Sequence, residues 1–342
     1  MALALRRGVV RTVADGSAAP GLVRLEVAVG EETRPAVALT GLTGATEVGD
    51  EVLVNIAAVE LGLDSGGFDL VHANLTRGLA AAPDPAARVM KLNYTPLQHG
   101  VRPVEGATRP APGAVGAAPV AVLAVHAHLP CAAWALARVT AGARVGYVQT
   151  WGGALAGALS DTVRTLRDRD LLADHVTAGA AFGGEGEAIS VHGALEAGFG
   201  SRGWDAALVG PGPGILGSGT TLGHGGLAAL ESAHAALGLG ARTFLVPRMS
   251  SGEARARHVG LSHHTATVLS LLLAPVMVAV PEGDAPHIPG PHTVRRGRAD
   301  LDGYAASGLP ARTMGRAMTE DPLFFRAALA GGHVLGETVR AL

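Results

Sequence analysis

Three groups of residues in this chain have types and spacings that could do chemistry. The first is the run 210–226, Gly-Pro-Gly-Pro-Gly-Ile-Leu-Gly-Ser-Gly-Thr-Thr-Leu-Gly-His-Gly-Gly. Glycines let backbone N–H groups approach an anion closely, and the N-terminus of a following helix adds the positive end of its dipole. Gly212, Gly214 and Gly217 have the spacing of a dinucleotide fingerprint behind an expected strand. No acidic residue ends the next strand, however; Arg248 lies there instead. Gly214 and Gly219 have P-loop spacing, but Thr220 occupies the lysine position, which argues against a Walker ATPase. The expectation is an anionic or polar ligand held by the loop amides and by Ser218, Thr220, Thr221 and His224; the alternative is a loop whose glycines serve only tight turns. The second group is Arg248, Ser250, Ser251, Arg255, Arg257, His258, Ser262, His263, His264 and Thr265. Ser262 is an expected helix N-cap that puts His263 and His264 on a first turn beside free amides. Histidine is the side chain best suited to proton transfer near neutral pH, so His263, His264 and His224 are expected catalytic residues, with Arg248 and Ser250 binding the ligand. The alternative is a solvated basic loop. The third group is His126 and His128, two apart at an expected strand end. If the chain stays extended there, both point to one face and could hold a divalent metal. Hydrogen-bonding and purely structural roles stay open for this pair. Cys131 follows near a helix start that would favour a thiolate. Glu185, beside Gly186 and Glu187, is a further expected general base or ligand.

The elements that must position these residues fall into two patterns. Apolar runs around 9–13, 22–27, 37–39 and 48–55 are short, β-type and separated by Gly, Asp, Ser and Pro, which predicts a small antiparallel barrel over 1–85. Residues 86–118 read as a connecting segment ending in a Pro/Gly-rich linker with Pro103, Pro110 and Pro112. From 119 to 342 the pattern becomes strand, loop, helix in repetition. Strands are expected at 120–125, 144–148, 175–177, 206–209, 243–246 and 276–280, and helices at 132–139, 155–172, 227–237 and 263–273. Strands apolar on both faces predict a Rossmann-like, mostly parallel sheet with helices on both faces and a C-terminal helical cap. Ligands of such sheets bind at the carboxyl ends of the strands, where this chain concentrates its glycines and histidines.

Composition narrows the classes. The chain has 342 residues, 48 % hydrophobic and 16 % charged, which can bury a large core and excludes wholesale disorder. A net charge of -2 lacks the footprint of a nucleic-acid binder. Its 49 glycines show no three-residue period. One cysteine permits no intrachain disulfide. The longest apolar run, 268–280, is broken by Ser270 and Pro275 and falls short of the roughly 20 residues of a membrane span. No apolar stretch follows Arg6 and Arg7, so no signal peptide is expected and the reading is cytoplasmic. Lys91 is the only lysine among 27 basic residues. Sparse surface charge points towards a homo-oligomer.

The chain resembles the domain-of-unknown-function 3866 family of bacterial proteins. The segments that carry the resemblance are Val89-Met90-Lys91-Leu92-Asn93-Tyr94-Thr95-Pro96-Leu97-Gln98, Phe182-Gly183-Gly184, Ala206 to Gly214, Leu245-Val246-Pro247-Arg248-Met249-Ser250 and Gly260-Leu261-Ser262-His263-His264-Thr265, with the block Asp302 to Pro310 similar as well. The resemblance implies no particular reaction. The expected function is therefore an enzyme, a hydrolase or group transferase, acting on a small anionic molecule by histidine acid/base chemistry. The competing expectation is a metabolite-binding or regulatory protein with no turnover.

Overall fold

The structure, a computed structural model, describes residues 3–14, 21–63, 66–80, 82–106 and 115–342. It forms two compact units, Met1–Arg102 and Pro103–Leu342. In the first, strands β1 (Leu5–Val13), β2 (Val23–Val29), β3 (Glu32–Ala38), β4 (Glu51–Asn55) and β5 (Asp69–Asn74) close into a barrel in the order β1-β2-β3-β5-β4. Short helices α1 (Thr40–Thr43) and α2 (Ala57–Glu60) flank β4. Alternation drives closure: Val52 and Val54 of β4, with Val10, Leu25, Val27, Ala36 and Val71, point inward to form the core. The barrel is not wholly antiparallel, because β3 and β5 run parallel. Arg34 of β3 spans that seam to Asp69 of β5, Nε to Oδ2 at 2.6 Å. This is the strand plan of an OB-type barrel, and a fold alone assigns no ligand. A hairpin of β6 (Val89–Lys91) and β7 (His99–Val101) completes this unit. The expected connecting segment 86–118 is thus partly ordered hairpin; residues 107–114 of the expected linker lie outside the described residues.

The second unit is built on β8 (Pro119–Leu123), α3 (Leu129–Val139), β9 (Val145–Thr150), α4 (Asp161–Asp168), β10 (Asp174–Ala178), β11 (Gly186–Ala188), α5 (Val191–Phe199), β12 (Ala206–Pro211), α6 (Ala228–Gly238) and β13 (Arg242–Val246). A two-residue pair, β14 (Met249–Ser250) and β15 (Gly260–Leu261), leads to α7 (His263–Leu271), β16 (Met277–Pro281), β17 (Thr293–Gly297) and α8 (Leu301–Ala306). The small pair β18 (Arg312–Thr313) and β19 (Arg316–Ala317) precedes α9 (Pro322–Arg340). Eight strands form one all-parallel sheet in the order β11-β10-β9-β12-β8-β13-β16-β17. Successive residues of β8 face opposite ways. Ala121 and Leu123 pack under α3 and α9, while Val120 and Val122 meet the layer formed by α5, α6 and α7. The α/β class with helices on both faces therefore holds, and the core lies in two sheets of side chains either side of β8, β12 and β13.

Several boundaries differ for local reasons. The expected helix 155–172 is a 3-10 turn, Gly157–Leu159, and then α4, because Ser160 caps a new start by accepting from Val163 N–H. Strands β11 and β17 lie at the two sheet edges; Thr-Val-Arg-Arg-Gly of β17 is mostly exposed and carries no buried-strand pattern. The expected C-terminal helical cap is helix α9, 19 residues long, which runs through a Gly331-Gly332 pair that lowers its intrinsic propensity. That pair lets α9 lie directly on α3. A Cβ at Gly332 would collide with the main chain of Ala132, and one at Gly336 would lie 2.8 Å from Cβ of Val139. Gly332→Ala should therefore destabilise the chain by about 1–2 kcal/mol despite alanine's better helix propensity, since overpacking a tight contact costs about 1–3 kcal/mol. Urea denaturation checks this; an unchanged or raised midpoint would refute the close-contact account.

Connections leave the sheet in opposite directions around β8. The loop after β8 runs to α3 on one face, and the loops after β12 and β13 run to α6 and α7 on the other. Such a divergence opens a crevice at the carboxyl ends of the strands.

Candidate functional site

Four imidazoles meet on the segments that follow β12 and β13. His224 ends the loop after β12, His258 lies between β14 and β15, and His263 and His264 open α7. His224 and His264 stack with ring centroids 3.8 Å apart and planes within 10°. His263 lies 4.4 Å from His264, 4.8 Å from His258 and 5.7 Å from His224. His258 and His264 are 4.9 Å apart, edge to face.

Local rules explain how each ring arrives. Ser262 caps α7, its Oγ accepting from His264 N–H at 3.3 Å, as its position in the sequence predicts. The main chain of Arg248 clasps this turn: Ser262 N–H donates to its carbonyl and its own N–H donates to Thr265 Oγ1, both at 2.9 Å. The β14–β15 pairing returns the chain so that His258 faces the start of α7, with its Nδ1 2.7 Å from Ser262 Oγ. Gly226 is where His224 and His264 need room, since a Cβ there would sit 2.9 Å from His224 Nδ1.

Burial and neighbouring charge hold these rings neutral. Burial first, then His224, His263 and Arg248, pushes His264 down to about 2. Burial, then Arg248 and Arg255, pushes His258 down to about 4. His263 is lowered by burial and then by His224, and His224 by burial, offset in part by the Thr221 main chain. His263 Nε2 and His264 Nδ1 have no hydrogen-bond partner, and no nitrogen of His224 makes a well-directed bond. At pH 7 the rings are neutral with lone pairs open to a cation; His258 and His264, held so low, are weak bases, and none of the four is set to donate a proton as an imidazolium.

A charged frame stands beside it. Arg248 is buried, 3 % exposed, with Nη2 3.2 Å from Glu253 Oε2 and Nε unpartnered. Arg255 and Arg316 also reach Glu253, and Arg316 Nε donates to Asp321 Oδ2 at 3.1 Å. Three guanidiniums thus share two carboxylates. Arg257 lies at the rim, its Nη2 3.9 Å from where a Cβ on Gly219 would be. Ser250 is committed to this frame rather than to open space, donating to Asp321 Oδ2 at 2.6 Å.

Other expected site residues fall elsewhere. His126 and His128 do not share an extended face, because the chain turns into a 3-10 helix over His126–His128 and runs straight into α3. Both nitrogens of His126 are used inside the protein. Nδ1 faces the Pro211 carbonyl at 3.1 Å and so carries the proton, and Nε2 accepts from Ser160 Oγ at 2.8 Å. His128 packs on Phe324, ring centroids 4.8 Å apart, fully buried. Neither belongs to the cluster of converging nitrogens formed by His258, His263 and His264. Cys131 is buried inside α3 and burial pushes its thiol up to about 12, which outweighs its place in the first turn. Glu185 pairs with Arg167 of α4 at 2.7 Å, and none of its bonds reaches the imidazoles.

At the buried ends of the glycine-rich loop the glycines serve backbone packing. A Cβ at Gly212 would collide with the Ala154 carbonyl, one at Gly152 with Gly225, and one at Gly225 with Gly152, so these glycines allow two loops to pack backbone to backbone. Leu216 N–H donates to Gly152 O, Ser218 N–H to Gly223 O and Gly225 N–H to Leu216 O. Ser218 and Thr220 bond each other at 3.0 Å, and Gly223 N–H donates to Thr220 Oγ1. Gly214, Gly217, Gly219 and Thr221 are exposed with them. The loop is a self-bonded flap whose buried end delivers His224. A separate hollow of about 230 Å³ lies where β9 and β10 end, lined by Thr150, Trp151, Ser190, His192, Glu231 and Ser232, and contains none of the four imidazoles.

Fold and site together define an α/β protein with a β-barrel unit and a histidine–arginine centre at the carboxyl edge of a parallel sheet. The chain matches, over residues 35–332, the family described as Protein of unknown function (DUF3866), and it belongs to that family. No curated protein and no solved structure matches it. Among the described residues no helix is long and apolar enough to cross a membrane.

Proposed function

We propose that the chain is an enzyme, a hydrolase or group transferase, that acts on a small anionic molecule at the crevice formed by His224, His258, His263, His264 and Arg248. The observation that carries this reading is the convergence of four imidazoles, three of them with unpartnered nitrogens, beside a buried arginine whose Nε is unpartnered. Burying unpaired polar groups costs stability, and a constellation that does so on four neighbouring side chains, His224, His263, His264 and Arg248, is better explained by a ligand than by folding. The excess of guanidinium over carboxylate supports an anion. His224 enters as the proton acceptor, which favours activating a water or hydroxyl nucleophile over protonating a leaving group. This replaces the balanced acid/base role expected of His263, His264 and His224, and leaves Glu185 outside the reaction.

The test pairs binding with turnover. Inorganic phosphate, phosphomonoesters and dicarboxylates are screened by thermal shift on the full chain, and those that stabilise it are assayed for conversion. The wild type is expected to turn over at least one compound, and His224→Gln to bind it within a few-fold while losing at least about 100-fold in rate, the scale of a lost general base. Stabilisation of the wild type without any conversion would establish the metabolite-binding reading instead.

A further inference from the structure

We propose that His258, His263 and His264 bind one divalent transition-metal ion through three imidazole nitrogens, zinc being the best fit, with the ion's open position facing His224. The proposal deepens the reading above and rests on it only for the chemical use of the ion.

The geometry carries it. One nitrogen from each of the three rings can be chosen so that all lie within 4.8 Å of one another. A metal lies in the plane of each ring that ligates it. The planes of these rings are inclined by 46°, 64° and 90°, so they can meet at a common point. His224 is parallel to His264 and offset by 3.8 Å, so the two cannot share an ion without one ring turning. That leaves a three-histidine set with a fourth position free, the arrangement of catalytic rather than structural zinc. Tetrahedral zinc at about 2.0–2.1 Å from each nitrogen needs the nitrogens about 3.4 Å apart; the rings must draw in by about an ångström, which side-chain torsions allow.

The surroundings fit ligation. His263 Nε2 and His264 Nδ1 have no other partner. The Nδ1 of His258 is held by Ser262 Oγ, leaving Nε2 as its ligand atom. An outer hydrogen bond that fixes the ring of a ligating histidine is the usual companion of such a site. The donor set is all nitrogen, which selects zinc, copper, nickel or iron over magnesium or calcium, whose ligands are oxygens. Arg248 opposes a bare cation, and its effect is to favour an anionic occupant of the open position. His224 then stands where it can accept a proton from a metal-bound water.

The experiment uses tag-free full-length protein purified without nickel, stripped with a chelator and titrated with Zn²⁺ and Co²⁺. One ion per chain is expected, with an intense tetrahedral Co²⁺ absorption. His258→Gln, His263→Gln and His264→Gln should each weaken binding by at least about 100-fold, while His128→Gln, a buried histidine outside the cluster, leaves it unchanged. Circular dichroism reports whether each variant folds; where one does not, the Co²⁺ spectrum of the wild type still decides the ligand geometry. Binding below one ion per chain, a weak octahedral spectrum, or affinity unaltered in the folded variants would overturn the proposal. Phosphate binding to the stripped protein, followed by thermal shift, separates the two readings: phosphate bound with no stoichiometric metal leaves the anion site standing and sinks the metal.

Discussion

Asp321→Ala is expected to lower the unfolding free energy by about 3–5 kcal/mol, the range found when one partner of a buried ion pair is removed. The carboxylate is fully buried. Its oxygens accept from Ser250 Oγ at 2.6 Å, Ser251 N–H at 2.8 Å, Gly252 N–H at 3.2 Å and Arg316 Nε at 3.1 Å. Burial opposes its ionisation, yet these donors hold its pKa below the usual carboxylate value. Alanine would strand all four donors, one of them charged, next to the chain turn that leads to His258. Arg316 would keep only Glu253, which Arg248 and Arg255 already share. Asp321→Asn keeps one acceptor oxygen and much of the shape, so its cost should be about half. Urea denaturation of the three proteins measures both numbers. An alanine variant within about 1 kcal/mol of wild type would show that the frame around Arg248 stands without this carboxylate, and that solvent or local rearrangement satisfies the donors.

How much of this site could be read from sequence follows from how local each determinant is. Strand β8 is legible because both faces of Val120–Leu123 are buried and the run is unbroken by polar residues. His263 and His264 are legible on a first turn because Ser262 is a short-range cap. His258, six residues before His264, joins them through β14 and β15, which are two residues long and too short to carry any periodicity. Its grouping with the others in one basic segment was visible; its convergence with them was not. His224 arrives from 40 residues away by stacking, a tertiary event with no local mark. The His126–His128 spacing misleads for the opposite reason. Two apart means one face only while the chain is extended, and here the strand has ended at Leu123 and the chain already coils. Likewise the glycines of 210–226 satisfy two phosphate-binding spacings, yet Gly212 and Gly225 are required by backbone contacts with 152–154 that no one-dimensional pattern records. The barrel was legible as alternating strands, while its parallel β3–β5 seam depends on Asp69 meeting Arg34 across 35 residues.

Acidification from pH 7 to pH 5 is expected to remove several kcal/mol of stability, before any of the paired carboxylates titrate. His126 and His128 follow strand β8, His175 lies within β10, and all three are buried neutral. Burial lowers His126 to about 4, and His175 to about 4 with help from the charge of His126; burial and then Arg248 lower His128 to about 3. Unfolded imidazoles bind a proton near pH 6.5. Between that value and the folded ones the unfolded chain therefore carries more protons, and stability falls as the pH falls. At pH 5 each group lies about 1.5 units below its unfolded value, worth about 2 kcal/mol apiece, against a net stability of about 5–15 kcal/mol for a whole domain. Glu253 and Asp321, both held below the ordinary carboxylate range, act only in more acidic solution. His128→Leu isolates the effect. His128 has neither nitrogen hydrogen-bonded and faces Phe324, so leucine keeps the apolar contact and removes the proton site. The variant should be within about 1 kcal/mol of wild type or more stable at pH 7, and should gain a further 2 kcal/mol or so relative to wild type at pH 5. Urea midpoints at the two pH values decide it. A difference between variant and wild type that does not grow on acidification would mean that His128 takes up its proton in the folded state as readily as in the unfolded one, and that burial beside Arg248 does not govern it.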